Sequence, residues 1–240
     1  GDRLTFGGTS SGCRAYFAVA GGFDVLLVMG SASTYLRGTL GGYQGRALQA
    51  GDRLASKPLS SPALPGFTLP KDKLPDYHDT IRVILGPQDD AFTQEGLNTF
   101  FSAEYIVSPQ ADRMGYRLEG PQIEHADSAD IISDGIALGA IQVPSHGQPI
   151  IMLADRQTTG GYTKIANVIS VDIPSVAQKK PGDTLRFEQI SIEDAQQLYR
   201  EQEAQLADLI QIMNNTIRNI PRYTIVVHGQ TFQGSIQELQ

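Results

Sequence analysis

Residues 150–171 read IIMLADRQTTGGYTKIANVISV. Two short apolar runs, Ile150–Leu153 and Ala166–Val171, flank a polar segment, and each suits a strand better than a helix. Between them stand an acid and a base, Asp155 and Arg156, then Gln157, Thr158, Thr159, Gly160, Gly161, Tyr162 and Lys164. Paired glycines cost backbone entropy and weaken a strand. Set among so many polar side chains, they indicate a backbone held close to something, and the segment reads as the rim of a small-molecule site.

The rest of the chain is punctuated in the same way. Short apolar runs at Ala15–Ala20, Val25–Met29, Ile81–Leu85, Tyr105–Val107, Arg117–Glu119, Ala140–Val143, Leu185–Phe187 and Tyr223–Val227 are separated by glycines and prolines, as a barrel or sandwich requires. Gly30–Gly45 reads as a long polar loop. Prolines 58, 62, 65, 70 and 75 forbid regular structure over 56–76. Phe92–Phe101 reads as a short helix with Thr93, Asp89 or Asp90 as cap. Ser191–Met213 is the one long helical signal: Ser191 and Asp194 approximate a capping box, and Ile192, Ala195, Leu198, Tyr199, Leu206, Leu209, Ile210 and Met213 share a face. That stripe is read as packing, with docking of another chain as the other use; Pro221 stops the helix. A Gly-Asp phrase before a strand recurs at 1–2, 51–52 and 182–183, either a common local turn or the trace of a duplicated β unit.

Composition narrows the classes. In 240 residues, 40% are hydrophobic and 19% charged, enough for a core. A net charge of −7 argues against a nucleic-acid groove, although a few local cations still suit a small anion. Cys13 is the one cysteine; with no partner for a disulfide, a reducing cytoplasm fits, and its place before an apolar run suggests a packed, inert thiol. The four histidines lack metal-ligand spacing, so no metal is expected. No apolar run approaches the roughly 20 residues that span a bilayer. A first residue of Gly rather than Met reads as a fragment or processed chain.

Arg156 suits a fork on a carboxylate or phosphate, unless it pairs with Asp155 or another acid. Lys164 supplies a point charge, and Thr158, Thr159 and the Gly160–Gly161 amides suit a developing oxyanion. Asp134 is an acid–base candidate or merely an Asx-turn. Gln142, in an apolar strand, needs hydrogen-bond partners from a ligand or from backbone. Arg117 and Glu119 share a strand face, as an ion pair or as charges at a barrel mouth. Ser33, Thr34 and Arg37 line the same pocket or only stabilise their own loop. His125 and His146 read as surface or turn residues. There is no Walker pattern and no Met-Lys-Met biotin acceptor.

Four blocks carry a resemblance: residues 14–52 (RAYFAVAGGFDVLLVMGSASTYLRGTLGGYQGRALQAGD), 112–121 (DRMGYRLEGP), 133–150 (SDGIALGAIQVPSHGQPI) and the 153–166 segment. Together they resemble the second-subunit allophanate hydrolase type, or biotin-dependent carboxyltransferase-like family, which includes the third component of bacterial 5-oxoprolinase and a sporulation-kinase-inhibitor antagonist. The resemblance implies a mainly β fold of cyclophilin-like β-barrel lobes, here with a short helix and one long C-terminal helix. It divides the chain into the remainder of a first lobe (1–55), a proline-rich connection (56–80), a second lobe (81–190) and a helical extension (191–240). The family carries a Thr-, Asp- and Gly-Arg-containing segment ahead of the matched region. The implied activity is ATP-coupled opening of 5-oxoproline to glutamate, inactive without a partner subunit of the kinase-inhibitor type, with ATP bound together with that subunit. Catalytic roles fall on Asp134, Asp155 and Lys164. The alternatives are carboxyl transfer to urea or a similar amide, with biotin arriving on another chain, and a non-catalytic antagonist of a kinase inhibitor.

Overall fold

A computed structural model describes residues 2–9, 11–58, 68–218, 222–227 and 230–235; Pro62, Pro65 and Pro221 lie outside these. The elements are β1 (Thr80–Leu85), α1 (Gln94–Ser102), β2 (Tyr105–Val107), β3 (Gly115–Glu119), β4 (Asp130–Gly135), β5 (Ala140–Gln142), β6 (Ile150–Met152), β7 (Thr159–Tyr162), β8 (Lys164–Val168), α2 (Ile173–Ala177), β9 (Thr184–Gln189), α3 (Ile192–Arg218), β10 (Arg222–Val227) and β11 (Gln230–Ser235). The chain divides into two compact units, Gly1–Arg14 with Leu69–Met213, and Ala15–Thr68 with Asn214–Gln240.

The first unit is a closed seven-stranded barrel in the order β1-β8-β5-β6-β3-β2-β9. Six of its seven pairings are antiparallel; the seventh, β9 against β1, is parallel and closes the ring in the register Ile81↔Phe187 and Val83↔Gln189. Closure leaves no edge strand to aggregate. β-Branched residues at alternate positions send Ile81, Val83, Ile141, Ile151 and Ile165 into one core, joined by Tyr105, Leu118, Leu185 and Phe187. Helix α1 is capped by the Thr93 hydroxyl, which accepts from Gly96 N at 2.9 Å, and its Phe100 stacks on Phe187 at 4.4 Å between centroids.

Asp172, fully buried just before α2, ties down the closing strand. Its carboxylate accepts from Arg82 N (2.8 Å), Nε (3.0 Å) and Nη2 (2.5 Å). A side chain also fixes the N-terminal segment. Gln178 Oε1 accepts from Cys13 N and Arg14 N, and its Nε2 donates to Arg14 O, all at 3.0 Å. One amide thus stands in for a strand edge, which explains why residues 1–14 group with the barrel. Cys13 itself is exposed, not packed, with Sγ 3.2 Å from Lys179 O.

In the second unit, residues 15–58 form isolated bridges such as Phe23↔Ser56 and Leu26↔Gly42, and β10 and β11 form a hairpin. The expected strand at Ala15–Ala20 is irregular, with Tyr16 and Phe17 exposed, because no strand among the described residues lies beside it to complete a ladder. Asp52 is occupied by a fork from Arg46 (2.8 Å on each oxygen) and by Gln49 N; the Arg46 hydrogen bonds are the main reason its carboxyl falls to about 2. Among the described residues, the strand β9 follows the Gly182-Asp183 phrase, where Gly182 sits at φ +92° and Asp183 accepts from Lys180 N, and no strand follows Gly51-Asp52. Strand β8 starts two residues before the expected Ala166 and ends at Val168, because residues 170–172 turn into a short 3-10 helix. The apolar stripe of α3 is largely exposed at Ile192, Tyr199, Leu206, Ile210 and Met213, against the expectation of packing.

Asp172→Ala leaves the Arg82 fork without its acceptor and should cost about 3 kcal/mol. Urea unfolding checks this: the midpoint falls with the slope unchanged.

Candidate functional site

Strands β4 and β7 form a separate two-stranded flap, in the register Asp134↔Gly160 and Gly135↔Thr159, with a bulge towards Asp130↔Tyr162. The flap lies over the outer face of β5, β6 and β8. Alternation sends Ile141 and Ile151 into the barrel and leaves Ala140, Gln142, Ile150 and Met152 facing out, where Ile136 closes a second, smaller apolar cluster. Within this layer lie two polar side chains. Gln142 is 2% exposed and its Nε2 donates to Tyr162 O at 3.4 Å. Lys164, opposite Gln142 in the β5–β8 register, has a side chain only 4% exposed.

The ammonium of Lys164 donates to Asp134 Oδ2 at 3.0 Å. Asp134 is more than half exposed and also accepts from Gly135 N at 2.7 Å and, at the limit of hydrogen bonding, from Gln88 Nε2 at 3.5 Å. Gln88 Oε1 in turn accepts from Lys164 N at 3.2 Å. The Lys164 hydrogen bond, then the Gly135 amide, hold the Asp134 carboxyl below the usual carboxylate range. The backbone amide that Asp134 accepts from is that of the next residue, not the one two residues on that an Asx-turn uses, and its side chain pairs with Lys164. Gln88 has no sequence signature: after Gly86-Pro87 it reads only as the end of a strand.

The glycine pair lies in a strand, not in a loop. A Cβ on Gly160 would stand 2.7 Å from Ile136 Cδ1 and 3.1 Å from Gln142 Nε2. The close approach is to the chain's own side chains. Arg156 does not pair with Asp155. Its Nε donates to Ile136 O (3.0 Å) and its Nη1 to Leu153 O (3.3 Å), fastening the flap's end, while Asp155 binds Arg113 at 2.9 Å. Gln157, Thr158 and Thr159 are exposed at the flap's tip, and Tyr162 is exposed on the flap. Thus Asp134, Gln142, Gly160 and Lys164 come together; Gly161 faces Ile131 and Ser133, Arg156 holds the Ile136 and Leu153 carbonyls, and Asp155 sits apart in its own ion pair.

Arg117 and Glu119 are exposed on β3 and form no ion pair with each other among the described residues; they border a 180 Å³ hollow with Gln110, His146 and Gln148. A larger hollow of 480 Å³ is lined by Gln122, Glu124, His125, Asp127, Ser145 and His146. His125 is a half-buried member of this wall rather than a surface turn: its Nε2 lies 3.0 Å from Val143 O and 3.1 Å from Thr163 Oγ1. Ser33, Thr34 and Arg37 belong to the other unit; Ser33 N donates to Ser31 Oγ, and Arg37 lies in a 3-10 turn. Among the described residues no helix is long and apolar enough to cross a membrane.

Residues 1–189 match the family model for the carboxyltransferase domain, subdomains A and B, and the chain belongs to that family. It is 37% identical to a subunit of the 5-oxoprolinase of Escherichia coli (strain K12), over 90% of this chain and 68% of that protein. It is 36% identical to the urea amidolyase of Lachancea kluyveri over 87% of this chain but only 13% of that much longer protein. The crystal structure of the K. lactis urea amidolyase superposes with a TM-score of 0.73 at 32% identity, covering 81% of this chain and 13% of that one.

A carboxyl held down by an ammonium titrates upward when that ammonium is removed. In a ¹³C carboxyl titration, Asp134 should show a midpoint below the ordinary Asp value, and Lys164→Met should raise it. The pair's contribution to stability is therefore present above the unfolded-state Asp pKa and is lost as pH falls through the lowered folded value.

Proposed function

We propose that this chain is a component of an ATP-dependent 5-oxoprolinase, acting with a partner subunit to open 5-oxo-L-proline to L-glutamate. The observation that carries the reading is the 37% identity to a 5-oxoprolinase subunit along nine-tenths of the chain. The Lys164–Asp134 pair supplies chemistry of the required kind. A lactam amide is a poor electrophile. Transfer of ATP's γ-phosphoryl group to its carbonyl oxygen, with release of ADP, activates the carbon. Water adds there, the ring C–N bond breaks as the nitrogen takes up a proton, and hydrolysis of the resulting acyl phosphate releases glutamate and phosphate. Such a species is anionic and needs fixed positive charge and hydrogen-bond donors. Lys164 offers the charge from a desolvated position. In this reading Asp134, the solvent-facing and ionised member of the pair, takes a proton from the attacking water. Thr158 and Thr159 at the flap's tip offer hydroxyls, and ATP is held jointly with the partner subunit.

A second reading is favoured by the urea amidolyase relatives and the superposition on one of them: carboxyl transfer to urea or a related amide, with biotin carried on another chain. The same layer would then meet biotin's ureido ring, with Lys164 or Tyr162 assisting proton transfer.

The two readings separate in one experiment. The chain is co-purified with its candidate partner subunit and assayed for glutamate release dependent on both 5-oxoproline and ATP. Lys164→Met and Asp134→Asn should each lower turnover about 100-fold, with circular dichroism unchanged. Urea-dependent bicarbonate consumption without glutamate release would replace the first reading by the second. Full activity in both variants would remove the pair from the chemistry.

A further inference from the structure

Helix α3 carries an apolar face that the chemistry above does not use. Ile192, Tyr199, Leu206 and Met213 stand at successive intervals of seven residues, and Ala195, Gln202 and Leu209 repeat the interval three places on. These are the first and fourth positions of a heptad, the seam of a coiled coil. Leu198, Ile210 and Ile212 flank this row and widen it. Ile192, Tyr199, Leu206, Ile210, Ile212 and Met213 are each between 39% and 59% exposed. A helix of 27 residues, about 40 Å long, ordinarily owes its stability to burying such a face.

The spacing sets the shape of what fits. On a straight helix, positions seven apart drift by about 20° per heptad, and so by about 60° from Ile192 to Met213. A flat face would meet the row at one end only, whereas a second helix wound around α3 follows it throughout. Charge sets the rest. Of the six charged residues from Ile192 to Met213, Glu193, Asp194, Arg200, Glu201 and Asp208 lie away from the row, and Glu203 alone borders it. The polar side is satisfied within the helix: Gln197 Nε2 donates to Glu201 at 2.9 Å and Arg200 Nη1 to Gln197 Oε1 at 3.3 Å. An uncharged, heptad-spaced row is complemented by another of its own kind, as a two-fold interface requires. Gln202 is the one polar residue within the row, and it makes no side-chain hydrogen bond among the described residues. Its amide both donates and accepts, so two copies of it satisfy each other across a two-fold axis. Such a polar layer fixes register. Direction follows from Glu203: parallel pairing sets it against the second copy's Leu198, whereas full antiparallel overlap sets it against another Glu203.

We infer that α3 is a dimerisation element: it pairs with α3 of a second copy of this chain as a parallel two-stranded coiled coil, with Gln202 against Gln202 in a middle layer. Leu206, Leu209 and Met213, with Ile210 and Ile212 beside them, form the more apolar half of the seam and supply most of the burial. The pairing makes no use of the Lys164–Asp134 layer and stands whether or not the proposed activity does.

The test is the mass of the full chain, without partner subunits, by sedimentation equilibrium. At ~100 μM, enough to populate a dimer of micromolar Kd, it should be twice the chain mass, and it should fall towards the monomer on dilution. Leu206→Glu should raise the dimer Kd about 100-fold. Gln211→Glu, on the polar side, should leave it unchanged. A cross-link reads the geometry without adding charge. In a Cys13→Ser background, Leu209→Cys should oxidise to a disulfide-linked dimer, because parallel pairing brings equivalent positions together, and Ala207→Cys should not. Lys164→Met should dimerise like the parent chain. A chain that stays monomeric at the higher concentration overturns the pairing. So does a dimer that Leu206→Glu leaves intact, one that Gln211→Glu weakens as much, or one in which Leu209→Cys fails to cross-link. A monomer whose binding to the partner subunit is lost in Leu206→Glu overturns it too, and gives the face to that subunit.

Discussion

The barrel unit depends on a single seam. Six of the seven strand pairings are antiparallel, and closure falls to the parallel contact of β9 with β1. Without it, two rows of backbone N–H and C=O groups would face water. The seam is reinforced by the buried Asp172 carboxylate, which accepts three hydrogen bonds from Arg82 on β1, while Ile169 N donates back to Arg82 O at 3.1 Å. The turn after β8 is thereby locked to the closing strand. The position of β8, and of the lysine at its start, follows from that lock.

Position along β8 decides chemistry. The β5–β8 register shifts between Ile141 and Gln142, so Ala166 lies opposite Ile141 inside the barrel while Lys164 lies opposite Gln142 outside it. Such a bulge re-aims a side chain at the cost of one ladder position. The flap then seals the re-aimed lysine and glutamine from water, and Asp134 supplies the counter-charge that a buried ammonium requires. Thr163, one residue earlier and fully buried, meets His125 in the wall of the hollow. Two chemically different environments thus stand on neighbouring residues of one chain: a cation paired with a carboxylate, and a hydroxyl against a half-buried imidazole.

Strands with β-branched alternation were legible where both neighbours in the barrel exist: Tyr105–Val107 matches to the residue, and Ile81–Leu85 differs only by the added Thr80. The Thr93 cap and the Ser191 start of the long helix were equally local and equally legible. Ala15–Ala20 has the same composition and no ladder, because strand structure needs a partner that composition does not supply. β4 and β7 failed the other way. Asp130–Gly135 and Thr159–Tyr162 were not among the expected strands, yet they pair, and Ile136 at the end of β4 packs on Ala140, Ile150 and Met152 of the barrel's outer face.

By itself, the sequence determined the β class, the helix starts and the cluster of polar residues from Asp155 to Lys164, since these rest on short-range periodicity and residue chemistry, and the family through the resemblance of four sequence blocks. Only the tertiary structure decided which of those residues meet. It turned Arg156 onto backbone carbonyls, gave Asp155 to Arg113, brought Asp134 across thirty residues to Lys164, and assembled the histidine-lined hollow from two loops. A strand's register is set by partners distant in the chain, and a shift of one residue exchanges its buried and exposed faces.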